Sequence, residues 1–506
     1  MSLDKILKED DMKKKVLFAL FSLALSISGW GTVYNCLHIQ NGWKLFGLSG
    51  GIPDVNQLFH DKGDSVNAIW AYDSSSKRWK FYSPNTNLTS VANSMSNIDS
   101  LNNIAKTEGF WVQGKKDEQI CTDSNEELSD SNQTQPTTPT SIVFSDGPTM
   151  QVARMAHWIV PLPNDGIEVI GGHGTGFTSL ASAEKWDATT NTFTTTAMNA
   201  THDIGAMVKL SDGRYFISGG AANSGVAPGN NIVEIFDPTD RTFTAAGTML
   251  KRRTGQAATQ IGNRVLIVGG WYDTDSTTTP EIYDLNTHTS TLTANLNTPR
   301  SYPWVLPTDD GKAVVFWGMP PHGGTALDSV ELYNPADNNF TTLSATMLNE
   351  AGWAPLISHL NRPISSQKMN NGKYLLWGHK DDITALITFD PATKSFSKFD
   401  TTPALPNVSS ERVYDVLVNN LHNVAILLGV KSGVEPQVLT VYLVDLSNGS
   451  LTKIGDGYTL PSDFHVTYSA NIILKNDRIM ITGGNSQIGY STNFSPVAKT
   501  LFLDFQ

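Results

Sequence analysis

From residue 141 onward the chain alternates short apolar runs with polar, turn-rich connections, and the apolar runs return at a near-constant interval. A run ending in glycine occurs as IEVIGG (Gly171, Gly172), YFISGG (Gly219, Gly220), VLIVGG (Gly269, Gly270), AVVFWG (Gly318), YLLWG (Gly378), AILLG (Gly429) and IMITGG (Gly484). From Gly172 to Gly484 is 312 residues in six steps, a mean period of 52. Short continuous apolar runs bounded by glycine predict strands buried on both faces. The glycines suit a sharp turn in a crowded place, because a residue without Cβ permits φ > 0 and close backbone approach.

A second pattern runs in phase with the first. Downstream of each run a large apolar residue precedes Asp or Asn: Trp186-Asp187, Phe236-Asp237, Tyr283-Asp284, Tyr333-Asn334, Phe389-Asp390, Val444-Asp445 and Leu503-Asp504. The Asp or Asn side chain can bond to the backbone of a tight turn, which predicts a hairpin there. Seven residues after the large apolar one, Phe193, Phe243, Phe340, Phe396 and Leu451 open a further strand, with Ser290 the exception. The seventh repeat stops two residues after Asp504 and lacks that strand. At the other end, Phe144 to Met150 is spaced as Phe243 to Met249, so residues 141–150 are expected to supply the missing outer strand.

A diglycine after a buried strand at a period near 50 resembles the kelch repeat, in which each repeat is one four-stranded blade of a β-propeller. The resemblance covers about 140–506 and implies an all-β, seven-bladed propeller, closed by the N-terminal outer strand. Kelch blades usually carry Trp where this chain has Phe in the outer strand, which marks a divergent member. The wider galactose-oxidase-like superfamily includes copper-radical oxidases, sialic-acid mutarotases and binding scaffolds, so the resemblance does not choose a function. The radical oxidases require a cysteine cross-linked to tyrosine, with Tyr and His copper ligands. No cysteine lies in 140–506, so that chemistry is not expected, although His157, His173, His202, His379 and His465 are available. No cofactor is expected.

Ahead of the repeats, KKK at 13–15 and the apolar VLFALFSLALSI at 16–27 have the pattern of a signal peptide, residues 1–28, with Met12 as the working start. The expected location is therefore periplasmic, extracellular or at the cell surface. Residues 29–121 predict a small Trp-rich β module in which Trp70, Tyr72, Trp79, Phe81, Phe110 and Trp111 alternate with polar residues. Cys36 and Cys121, the two cysteines of the chain, bracket this module. They form a disulfide, the default for an even pair in an exported chain, or remain two thiols. Residues 122–140 are almost without apolar side chains and predict a flexible linker.

Composition narrows the partners. The 506 residues carry a formal net charge of -12 with 40% hydrophobic content, which argues for a folded chain and against a nucleic-acid footprint. In a propeller blade the start of the first strand and the end of the second lie on one face. Four residues after the Met or Leu that closes an outer strand come Arg154, His202, Arg253 and Arg300, with Arg412 and His465 in similar places and Ala351, beside Glu350, breaking the series. His173, Trp271 and His379 follow the glycines on the same face. Converging guanidinium groups suit a carboxylate or sulfate, and Trp271 suits a sugar ring, so an acidic carbohydrate is one expected ligand. The other reading is structural: each basic residue bonds the blades together, and pairing with buried carboxylates or carbonyls would decide for it. DTDSTTT at 273–279 has oxygen donors but lacks the bidentate Glu of a calcium loop. No phosphate loop, Cys/His metal cluster or nucleophile elbow occurs, and no catalytic residue is nominated. Three classes remain: an exported, non-catalytic recognition protein for a protein or glycan; a mutarotase- or epimerase-like enzyme on an acidic sugar; and an architectural envelope component.

Overall fold

The computed structural model describes residues 36–39, 42–47, 55, 66–73, 78–84, 98–101, 109–114 and 118–121, then 139 and 141–506 apart from 222–228, 272–278, 321–325, 344–366 and 487–494. The expected signal peptide, Met12, nearly all of the linker, Glu350, Ala351 and nearly all of 273–279 lie outside the described residues. The chain divides into two compact units, 1–133 and 134–506.

The first unit is built on a five-stranded sheet in the order Gly42–Gly47, Gly109–Gly114, Val66–Asp73, Arg78–Tyr82, Ile98–Ser100. The last pair is parallel and the others are antiparallel. Ala68, Ile69, Trp70 and Ala71 are all buried, so the middle strand is covered on both faces, with Val66, Phe81 and Val112 also buried and Trp70 meeting Phe81 edge to face at 4.6 Å. Trp70 is thus packing material, as an aromatic on a small sheet commonly is. A separate two-stranded ribbon pairs Cys36–Ile39 with Glu118–Cys121, and its register sets Cys36 directly opposite Cys121.

The second unit is a β-propeller. Its described secondary structure is all strand except one 3₁₀ turn at Thr175–Phe177. Five of its sheets stand apart as blades of three or four antiparallel strands, sequential in four of them. The expected seven separate blades are not what forms, because Thr242–Ile261 is one continuous strand of 20 residues. Its first part pairs with Asn230–Asp237 and its second part with Arg264–Trp271, so two repeats merge into a seven-stranded sheet.

The hairpin turns form as their Asx residues demand. Asp187, Asp237, Asp284, Asn334, Asp390 and Asp445 each accept a bond from the backbone N–H two residues on, and the residue four positions on takes a left-handed φ in every case. That is a type I turn closed by a left-handed residue, a standard β-hairpin connection. The last sheet is completed from the other end of the unit: Ile142–Asp146 pairs with Thr500–Phe505, Phe144 opposite Leu503.

Between sheets lie the hydrophobic clusters. Trp158, Ile170, Tyr215 and Phe236 join the first two repeats, and Ile159, Trp186, Met480 and Phe502 join the first sheet to the last, which closes the ring. The diglycine positions behave as glycine should, with Gly172 at φ +82 and Gly220 at +102. Gly378 and Gly429 do not: they sit inside the strands Tyr374–Lys380 and Val424–Lys431, which run straight on, without positive φ. The sharp turn expected after every apolar run is therefore missing from the fifth and sixth repeats.

Candidate functional site

The connections that leave each second strand and enter each first strand share one face of the propeller, and most of the candidate residues are there. The first four repeats use them identically. In repeat one, Glu184 accepts backbone N–H groups from Gln151 (2.5 Å) and Val152 (2.9 Å) and takes the Arg154 guanidinium at 2.8 Å. In repeat two, Glu234 accepts from Asn199 (2.8 Å) and meets His202 Nε2 at 3.0 Å. In repeat three, Glu281 accepts from Leu250 (2.6 Å) and Lys251 (2.9 Å) and pairs with Arg253 at 2.8 Å. In repeat four, Glu331 accepts from Asn297 (2.7 Å) and Thr298 (3.0 Å) and pairs with Arg300 at 2.9 Å.

Each basic side chain also donates to the carbonyl that ends its own second strand: Gly171 at 2.8 Å, Gly219 at 2.6 Å, Gly269 at 2.9 Å and Trp317 at 2.9 Å. Its backbone carbonyl ties in the preceding repeat. Gly172 N–H donates to His202, Gly220 to Arg253, Gly270 to Arg300 and Gly484 to Arg154, at 2.7 to 3.2 Å. A Cβ on Gly220 would stand 2.7 Å from the Asp203 backbone, so this approach needs glycine. The four basic residues and their glutamates are fully buried. Burial lowers the pKa of all three guanidinium groups, against the pull of their glutamates.

This arrangement corrects the ligand reading of the series. Arg154, His202, Arg253 and Arg300 do not converge on a ligand at the mouth of the ring, because every one is committed to a carboxylate and a carbonyl inside the fold. A buried charge without its partner is far too costly to leave open for an occasional ligand. The acidic-carbohydrate expectation loses its recognition groups with them. The glutamates carry a sequence signal of their own: Glu184, Glu234, Glu281 and Glu331 each stand two residues before the aromatic of the hairpin marker, where later repeats have Ile387, Tyr442 and Leu501.

The other candidates are dispersed. Arg412 is exposed on the strand Glu411–Asn419. His379 has Nδ1 at 3.1 Å from Thr384 Oγ1, and burial, then the nearby Arg412 charge, pushes its pKa down to about 4. His465 is buried with Nε2 at 3.9 Å from Glu435. Trp271 is exposed with its ring 6.4 Å from Tyr302. His173 is buried against Asp203, Nδ1 to Oδ1 2.7 Å, a partner that sequence spacing gave no means to find.

Comparison with known proteins agrees with this ring of sheets. The kelch motif family matches residues 252–297, which span the pivotal Arg253, the third diglycine and the hairpin marker. The second unit is thus a β-propeller that carries a kelch motif. Among solved structures it is similar to a fungal alcohol oxidase of the AA5 family in complex with copper, with 15% identity, a TM-score of 0.50, and coverage of 72% of this chain and 76% of that one. In all, 620 solved chains match, so this likeness marks a widespread fold and leaves activity open. No curated protein matches the chain.

The copper of the oxidase raises the question of whether the propeller could hold one. No cysteine is available in 141–506 for a tyrosine cross-link, and no three His, Cys, Asp or Glu side chains come together among the described residues. The histidines are spread through the ring, His157 on Thr482, His173 on Asp203, His202 on Glu234 and His379 on Thr384.

Proposed function

We propose that this chain is an exported recognition protein whose propeller, seven-bladed when the merged sheet is counted as two, binds a protein partner through the strand-entering face. Kelch propellers commonly bind proteins. The observation that carries the reading is the placement of apolar surface. Of the seven exposed large hydrophobic side chains among the described residues, Trp271, Leu292 and Ile383 at strand ends, Val434 in a connection and Leu250 where the 20-residue strand passes from its outer to its inner part lie toward that one face, and Leu421 and Val143 lie elsewhere. Apolar side chains gathered on one face of a rigid scaffold suit a partner that covers them. The first unit serves as a tether or second contact in this reading.

Cross-linking and affinity capture from the native cell envelope, with the intact chain and a Trp271→Ala/Ile383→Ser variant side by side, tests it. A partner held by the first and lost by the second supports recognition at this face; an identical bound set in both would end it. Export has its own check. Residues 1–28 should be absent from the mature chain by N-terminal sequencing, and Cys36 and Cys121, opposite one another across an antiparallel ribbon where Cα spacing suits a bridge, should form a disulfide. Two free thiols in the native exported protein would remove that part of the reading. Among the described residues no helix is long and apolar enough to cross a membrane.

A further inference from the structure

One polar pair on the strand-entering face has no part in the ring of carboxylate pairs. His173 follows the first diglycine, and Asp203 follows His202 on the segment entering the second repeat. Both are held by backbone bonds: His173 exchanges N–H and carbonyl with Met155 at 3.0 Å, and the Asp203 carbonyl accepts from Ala221 at 2.8 Å. The residues at the His173 place in other repeats are Ala221, Trp271, Met319, His379, Val430 and Asn485; His379 alone repeats the imidazole, and its Nδ1 meets the Thr384 hydroxyl, so the repeat itself has no need of a His–Asp pair.

A carboxylate on Nδ1 fixes the proton there and turns the Nε2 lone pair outward as an acceptor. Nε2 of His173 is not sealed off and has no hydrogen-bond partner among the described residues, although the side chain is only 7% exposed. Ser179, buried alongside, hydrogen-bonds the Asp203 carboxylate and helps hold it in place. Beside the imidazole stands Phe177, ring centroids 5.5 Å apart and tilted by 34°. Phe177 sits half-buried on the 3₁₀ turn with φ +60, following Gly176 at φ +69. A left-handed aromatic residue is an unfavourable conformation that persists only where its surroundings impose it. Here it sets an aromatic face next to an oriented acceptor. Arg154, Arg253 and Arg300, the cations of the ring, are already neutralised by glutamates, so the site does not select for negative charge.

We propose that His173, oriented by Asp203 and flanked by Phe177, is a binding site for a small neutral hydroxylated ligand, a sugar or polyol. A ligand O–H donates to Nε2 while a C–H face packs on the Phe177 ring. The site is independent of the protein-recognition reading and stands or falls without it.

Isothermal titration of the purified full chain with D-glucose, D-galactose and myo-inositol, and with glucuronate as the charged comparator, tests the proposal. At least one neutral ligand should bind, and His173→Phe, which keeps a ring and removes the acceptor, should weaken it by about five- to tenfold, the value of one lost hydrogen bond. Phe177→Ala alters a half-exposed side chain and should weaken the same ligand by a smaller factor; it carries the test if His173→Phe does not fold. Absence of binding by all three neutral ligands, affinity unchanged in the folded variants, or binding of glucuronate alone would overturn it.

Discussion

The first four repeats and the fifth and sixth reach the same sheet by opposite means. In the first four, a buried glutamate on the third strand captures the incoming segment through its N–H groups and a basic side chain; the second strand stops short of the glycine in repeats one, two and four, and in repeat three runs through Gly269 and Gly270 at positive φ. The inner strands of repeats one, two and four are correspondingly short, four residues each. In the fifth and sixth, Ile387 and Tyr442 replace that glutamate, and strands of seven to nine residues run on through Gly378 and Gly429. Their cohesion comes from more ladder bonds and from a large apolar cluster in which Trp304 meets Trp317 and Trp377 edge to face. The sixth repeat even inverts the polarity: Glu411 comes from the inner strand, and Lys453 reaches it at 3.2 Å from the outer one. A blade therefore needs its incoming segment held, and either a buried ion pair or extended pairing with apolar packing will do it.

The largest test of that comparison is at the third repeat. Arg253→Ala leaves Glu281 buried and unpaired and should cost about 3 to 5 kcal/mol in a denaturant melt, whereas Arg253→Met with Glu281→Leu, which copies the apolar solution, should lose markedly less. A double variant as damaged as the single one would break the equivalence of the two solutions. Next come the glycines. Gly220→Ala places a Cβ 2.7 Å from the Asp203 backbone at φ +102 and should cost about 2 to 3 kcal/mol, while Gly429→Ala, without a positive φ, meets the Thr440 hydroxyl at 2.8 Å and the Glu411 carboxylate at 3.2 Å and should cost less, about 1 to 2. Equal losses, measured by thermal unfolding, would mean that the turn is not what distinguishes the regions.

Acid gives a smaller effect. His379 in the fifth repeat has its pKa pushed down to about 4, by burial and then by Arg412, and burial holds His157 in the first repeat well below its ordinary value. A histidine whose folded pKa lies below its unfolded value of about 6.5 binds its proton more readily unfolded, so stability falls as pH drops from about 6.5 toward 4 and is unaffected above. His379→Gln should flatten that fall partially, leaving the share of His157; a profile with no change would exclude His379 as a contributor. The smallest effect is Arg412→Gln, which should raise the pKa of His379 by a fraction of a unit in ring NMR titration, since the Arg412 charge is the lesser of the two causes.

How much of this was legible depended on the distance over which each feature acts. The Asx turns were readable because Asp187 and its equivalents bond two residues on, and the outer strand around Phe144 because its spacing to Met150 copies an internal one. The merged sheet was not, since nothing local distinguishes the 20 residues from Thr242 to Ile261 from a strand, a turn and a strand. The basic series is visible in the sequence at fixed spacing, and spacing alone fits both a ligand site and a structural pairing. Its glutamates lie 28 to 32 residues away in sequence, and only their pairing decides for the structural reading.

By itself the sequence determined the repeat, the order of strands, the hairpin turns and the closing strand, because each rests on backbone demands met by residues close together or by a pattern copied seven times. Only the tertiary structure decided that Arg154, His202, Arg253 and Arg300 face inward to carboxylates, that two repeats share a strand, and that His173 meets Asp203. A cation at a fixed position in a repeat is written the same way whether it faces water or a glutamate. Burial and pairing across strands, which set the energy of that charge, exist only once the ring has formed.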